Sequence, residues 1–140
     1  MIRSERGMTI VEILVAVFII TIGLVAVATG MQLATAGVAA GQQQTTAAFL
    51  AEQELEDVKA FALGLAANNQ GWALLTGASF PDKAYGTIPN YTRYRRTTLI
   101  TNSTATTKRI DVSVFWIPLG VASTNSERSV TFSVVLTSRE

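Results

Sequence analysis

The chain has 140 residues, 49% of them apolar and only 15% charged, with a formal net charge of +1. That length suggests a single domain, and so small a net charge leaves no basic surplus for neutralising nucleic-acid phosphates. Cysteine and histidine are both absent, which removes disulfides, thiolate chemistry, the commonest general base and the commonest metal ligand.

The first seven residues, Met1 to Gly7, are short, polar and slightly basic. They have the character of an export-signal n-region, with Arg3 and Arg6 kept on the cytoplasmic side by the positive-inside tendency. From Met8 to Ala28 the chain is almost continuously apolar, and no charged residue occurs between Glu12 and Glu52. A helix over Met8–Ala28 is roughly 30 Å long, enough to cross a bilayer core. Glu12 is the anomaly, because a carboxylate in hydrocarbon is costly and asks for a partner. A secretory signal peptide cut after Ala36, in the small-x-small sequence Ala34–Ala36, would release a soluble protein, but the apolar run exceeds the usual 7–15 residues of such a peptide. A plain signal anchor would merely tether an outer domain. Neither explains Glu12.

Beyond Ala28 the sequence turns small and polar, with Gly30, Gly37 and Gly41 each costing a helix about 0.8–1 kcal/mol relative to alanine. Small residues of this kind let helices approach closely. From Gln42 to Leu65 a stripe returns: Ala51, Leu55, Val58, Ala62 and Leu65 are spaced by four and three, with Phe61 beside them, as expected for a helix lying on a sheet. Glu52, Glu54, Glu56 and Asp57 fall on the remaining faces and read as a solvated surface. A continuous helix from Met8 to Leu65 would be roughly 87 Å long, far more than a small domain needs.

Asn68, Asn69 and Gly71 are expected to end that helix, and the stretch to Asn90 reads as loop, pinned to the core by Trp72 and Phe80. Three strand-like runs come next, at Tyr91–Ile100, Lys108–Ile117 and Arg128–Thr137. A polar Thr/Asn/Ser turn separates the first two. Ile110, Val112, Val114 and Trp116 share one face, as do Val130, Phe132, Val134 and Leu136. Short connections favour an antiparallel meander with its apolar face on the helical stripe. Arg93 and Arg95 are expected on one face of the first strand and Arg96 on the other. They read as a charged outer surface or edge protection, or as partners of Glu52 and Glu56 across a subunit junction. Arg93, Arg95, Arg96, Lys108 and Arg109 are the only feature favouring an anionic partner. Acids elsewhere offset them, so nucleic acid is not the expected ligand. The sequence contains neither a phosphate loop of the G-x-x-x-x-G-K form nor a metal-ligand cluster, so no cofactor or metal is expected.

Gly7, Met8, Thr9, Ile10, Val11, Glu12, Ile13 and Leu14, behind a short basic leader and ahead of the apolar run, resemble the class III signal of type IV pilins and type II secretion pseudopilins. The resemblance implies cleavage between Gly7 and Met8 by an inner-membrane prepilin peptidase that also N-methylates the new terminus. Met8 departs from the usual phenylalanine there. Glu12 becomes the fifth mature residue, and removal of Arg3, Glu5 and Arg6 leaves a neutral subunit. In parallel, staggered helices Glu12 would then neutralise a neighbour's α-amino group, fixing register as a buried polar pair does in a coiled coil. The plainer reading is a first-turn acid favouring the helix dipole, worth about 0.3–1 kcal/mol. Many filament-forming relatives carry a proline in the glycine-rich zone, whereas this chain has none before Pro81.

The order of helix, Ala/Glu-rich amphipathic half and short sheet, with "LAEQELEDVKAF" and "VSVFW", most resembles PilV-type minor pilins and I-type minor pseudopilins. The expectation is therefore an α+β, pilin-like fold: a long N-terminal helix, part transmembrane and part amphipathic, packed on a small antiparallel sheet. Its divisions are a leader at 1–7, a transmembrane and assembly helix at 8–31, an amphipathic helix at 32–67, an αβ loop at 68–90 and a sheet at 91–140. The implied function is non-enzymatic assembly into a type IV pilus or secretion filament. The implied partners are the inner membrane, the prepilin peptidase, other pilin or pseudopilin subunits and an assembly platform protein. The N-terminus would be cytoplasmic and the C-terminal domain extracytoplasmic. An exported binding domain, tethered or released after Ala36, is the alternative.

Overall fold

The computed structural model describes residues 8–64, 71–118 and 126–138. It divides into two compact units, Met1–Ala39 and Ala40–Glu140. Helix α1, Ile10–Ala62, runs unbroken through 53 residues and contributes to both. In the first unit it has an 18-residue window of mean hydropathy 2.9 with none of it buried, so this stretch is long and apolar enough to cross a membrane.

In the second unit α1 lies on a three-stranded antiparallel meander made of β1 (Tyr94–Thr104), β2 (Thr107–Trp116) and β3 (Arg128–Thr137), ordered β1-β2-β3. The period-two alternation of β2 places Ile110, Val112 and Val114 at 0% exposure, against Ala47, Leu50, Ala51, Leu55 and Val58 of the helix. Each such fully buried aliphatic side chain stabilises the fold by about 1.5–3 kcal/mol. Val130, Phe132, Val134 and Leu136 of β3 share that face but are only half-buried. Three contacts order the packing along β1: Tyr94 Oη donates to the Gln43 carbonyl (3.2 Å), an Arg96 guanidinium N–H to the Leu50 carbonyl (3.2 Å), and Thr98 Oγ1 to Glu54 (3.4 Å). Helix and β1 therefore run in the same direction.

Several expectations need correction. The helix ends at Ala62, because Gly64 adopts φ 68° and its N–H bonds to the Phe61 carbonyl, a left-handed stop that suits glycine. Leu65, Asn68 and Asn69 lie outside the described residues. The first strand starts at Tyr94 rather than Tyr91, so Arg93 sits in the preceding turn and shares no strand face with Arg95. The polar stretch after Ile100 stays in the sheet. β1 bonds with β2 to Thr104 through an irregularity near Asn102, and Ala105–Thr106 makes the turn.

The αβ connection is more ordered than a plain loop. It contains single 3-10 turns at Trp72–Leu74 and Gly77–Ser79. Ile88-Pro89-Asn90-Tyr91 closes with a Tyr91 N–H to Ile88 carbonyl bond and Asn90 at φ 65°, the residue order of a type II turn. Phe80 packs edge-on against Phe61 at 5.3 Å, and Trp72 lies over the Lys108 ammonium at 5.0 Å. Both aromatics tie the connection to the unit, as expected. Lys108 adds what the sequence reading overlooked: it is buried, and its ammonium donates to the carbonyls of Trp72 (2.8 Å) and Leu75 (2.7 Å).

Candidate functional site

Of the two residues flanking the expected cleavage point, Gly7 lies outside the described residues and Met8 is exposed ahead of α1. Thr9 caps the helix. Its Oγ1 accepts the Glu12 N–H at 3.3 Å, and its carbonyl accepts the Ile13 N–H at 3.2 Å. Thr9-x-x-Glu12 thus has capping-box spacing and shows the hydroxyl half of that arrangement. Glu12 occupies the first turn, where a carboxylate favours the helix dipole. Its side chain is exposed among Ile10, Val11 and Ile13, and it has no ion pair among the described residues.

Further along, the threonine hydroxyls of the helix satisfy themselves. Thr21 Oγ1 donates to the Val17 carbonyl (2.7 Å), Thr29 to Ala26 (2.9 Å) and Thr35 to Gln32 (2.9 Å). The helix passes through Gly30, Gly37 and Gly41 without a break, and a Cβ at any of them would meet open space. The subunit's own packing therefore does not require these glycines.

The charged residues of the second unit are redistributed relative to expectation. Glu54 is not part of a solvated acidic face. It is buried and forms an ion pair with Arg96, which points inward alongside Tyr94 and Thr98. Burial lowers the Arg96 pKa, and the nearby charges of Glu54 and Asp57 oppose that shift. On the outer face, Arg95 binds Glu127 through two bonds of 2.7 and 2.8 Å and lies 3.8 Å over the Phe115 ring. Tyr85 Oη donates to the same carboxylate at 2.5 Å. The Arg95 hydrogen bond is the main reason the Glu127 pKa falls to about 2, and burial, aided by Glu127, pushes Tyr85 up to about 12. Arg109 pairs with Asp111, whose pKa is lowered first by the Ser133 hydroxyl.

Glu52 and Glu56 are exposed, and Glu56 pairs with Lys59 at 2.6 Å. Within the subunit neither glutamate is brought to Arg93 or Arg95. The arrangement is one of internal charge pairs. Among the described residues no three of Asp, Glu, His or Cys gather into a metal-binding group.

Sequence reasoning missed Glu54, Lys108, Tyr85 and Glu127. For Glu54 a signal existed, since it falls between Leu50/Ala51 and Val58 on the buried stripe.

The family model for the prokaryotic N-terminal methylation motif matches residues 2–28, a span that includes Gly7, Met8 and Glu12. No curated protein and no solved structure matches the chain. With that motif leading into a long apolar helix, and the same helix packed further on against an antiparallel sheet, the chain carries a prepilin-type class III signal, of the kind found on pilins and pseudopilins, on an α+β, pilin-like architecture.

Proposed function

We propose that the chain is a minor pilin or pseudopilin that primes, caps or incorporates into a type IV pilus or type II secretion filament. The supporting observation is the methylation motif at residues 2–28, leading into a helix that stays wholly exposed through its apolar half. Prepilin peptidase cuts after Gly7 and methylates Met8, and the released leader takes Arg3 and Arg6 with it. The anchor crosses the inner membrane once, with the sheet on the extracytoplasmic side. In the filament, the Glu12 carboxylate meets the α-amino group of a neighbouring subunit. A buried pair of this sort specifies register while contributing little net stability. Gly30, Gly37 and Gly41 then admit neighbouring helices closely. The role is structural, as is general for this family.

Intact mass and N-terminal sequencing of the protein from its native membranes test the processing step. The expected chain begins at N-methylated Met8. One retaining Met1–Gly7 would overturn the reading, and one beginning at Gly37 would favour a released domain, since a cut after Ala36 leaves the unit from Ala40 whole. Glu12→Leu should insert into the membrane normally but fail to assemble. Glu12→Gln keeps a polar residue at the third helical position and removes only the charge. Assembly of Glu12→Gln at the wild-type level would reduce Glu12 to a helix-start residue.

For the contact between subunits, Glu52 and Arg93 lead the set of Glu52, Glu56, Arg93 and Arg95, because Glu56 and Arg95 already have partners within the subunit. Exchanging the charges, Glu52→Arg with Arg93→Glu, should restore the assembly that each single change weakens. Additive loss would remove the pairing.

A further inference from the structure

The two edges of the sheet differ. On β1 the Arg96 N–H and carbonyl both bond to Lys83 at 2.8 Å, and the Thr98 N–H bonds to Asp82 Oδ1 at 3.2 Å. The αβ connection therefore closes that edge along its first half. On β3 no described residue pairs with the outer side.

The ladder fixes which β3 groups face outward. β2 and β3 pair in unbroken register, and the Ser138 N–H bonds to the Thr106 carbonyl in continuation of it. Because bonded and non-bonded residues alternate in an antiparallel pair, the even-numbered residues of β3 bond to β2. Ser129, Thr131, Ser133 and Val135 then direct their N–H and carbonyl groups to the open edge. Natural edges are usually guarded by charge, proline or a bulge. Between Ser129 and Thr137 this one has none of them. Beside it, Val130, Phe132, Val134 and Leu136 are only half-covered.

We propose that the open edge of β3 receives an extended strand from a different prepilin-type subunit. The incoming strand alternates apolar and polar residues, is uncharged through its middle, and carries an acidic residue near its Arg128 end. The proposal rests on the filament function, because the argument against a second copy uses the shared membrane.

A second copy does not fit this edge. Antiparallel pairing of β3 with its own counterpart keeps the apolar faces together. However, α1 runs with β1 and hence with β3, so such pairing turns the two helix segments antiparallel. Their Ala40 ends, which both lead to a membrane anchor, would point in opposite directions. A two-fold axis along the strands keeps the helices parallel but turns one sheet over, setting Val130, Phe132 and Val134 beside the second copy's Ser129, Thr131 and Ser133. Laying β3 on the second copy's β1 is blocked where Lys83 and Asp82 occupy that edge. A different prepilin-type subunit escapes these constraints when its own β1-side edge is open, or when its edge strand runs against its helix. Its charge complement is set by Arg128, which is exposed and has no ion pair among the described residues.

The test places p-benzoylphenylalanine at the exposed Val135 of the full chain in its native cells, with irradiation and mass-spectrometric identification of the crosslinked peptide. The expected product is an alternating apolar–polar segment of another prepilin-type subunit. Ser133→Pro removes one outward N–H without breaking a ladder bond and should abolish the product. Ser133→Ala, which equally loses the side-chain bond to Asp111, should retain it. Should Ser133→Pro fail to fold, as read from the buried Trp116, Val134→Lys sets a cation in the half-covered apolar row and should abolish the product in its place. Crosslinking to a second copy, crosslinking only to lipid, no crosslink at all, or a product that survives these changes would overturn the proposal. The N-terminus of the same sample separates the two failures. A chain processed to Met8 without the strand crosslink removes only this inference, whereas an unprocessed chain removes the filament function itself.

Discussion

Arg96→Met should be the most destabilising single substitution in the second unit. Both side chains of the Glu54–Arg96 pair are 5% exposed, and Arg96 also donates to the Leu50 carbonyl at 3.2 Å. Methionine fills much of the arginine stem but leaves Glu54 with only the long Thr98 hydroxyl contact of 3.4 Å. Breaking a buried pair from one side typically costs about 3–5 kcal/mol, because an uncompensated charge is left behind. Against a total stability of about 5–15 kcal/mol, that is a large fraction. Replacing both partners, Glu54→Leu with Arg96→Met, should recover most of the loss, since a buried pair exchanged for apolar packing is often neutral or stabilising. Urea unfolding of the full chain in detergent, followed by the fluorescence of Trp72 and Trp116, measures all three variants. A loss below about 1 kcal/mol for Arg96→Met, the range of an exposed pair, would refute the reasoning. So would a double mutant less stable than either single.

The Arg95–Glu127–Tyr85 cluster should give stability a pH dependence on both sides of neutrality. Glu127 is depressed to about 2 from 4.5, so its contribution is fully present above 4.5 and is lost as pH falls through about 2. Tyr85 is raised from 10.0 to about 12, so its contribution is present below 10 and is lost as pH climbs through about 12. Glu127→Gln should therefore be less stable than wild type at neutral pH, with the gap closing in acid. A gap that does not change with pH in unfolding titrations would show that the charge is not responsible. Lys108→Met should loosen the αβ connection, leaving the Trp72 and Leu75 carbonyls without their charged donor at about 1.5–3 kcal/mol per hydrogen bond. The measurement is amide exchange across Trp72–Phe80, and unchanged protection there would count against the clamp.

The sheet was legible because alternation is a two-residue rule that survives without context: Ile110 to Trp116 and Val130 to Leu136 announce their faces directly. The apolar half of α1 was equally plain, since an uncharged apolar run of that length is what a membrane-spanning helix needs. Other features depended on partners distant in sequence. Arg96 looks like one of three surface arginines until Glu54, far upstream on the helix, is set opposite it. Glu127 comes after an uncharged loop, and nothing near it in sequence indicates Arg95, 32 residues earlier. The helix end was misplaced because Asn68, Asn69 and Gly71 form a stronger-looking stop than Gly64 alone, yet one residue with φ 68° was sufficient. Glu12 was legible as an anomaly. Its local part in starting the helix, through the Thr9 hydroxyl, was not.

The threonines of α1 bear on how such a subunit changes surroundings. Thr21, Thr29, Thr35, Thr45 and Thr46 each return a hydroxyl to a carbonyl three or four residues earlier. None of these hydroxyl protons is left for a lipid, a water or a neighbouring chain. A helix wired in this way presents much the same hydrogen-bonding surface in a bilayer as inside a bundle, so moving between the two requires no exchange of hydroxyl partners along its length. Glu12 is the exception. It is an exposed carboxylate in the apolar segment with no ion pair among the described residues, so its energy depends strongly on what surrounds it.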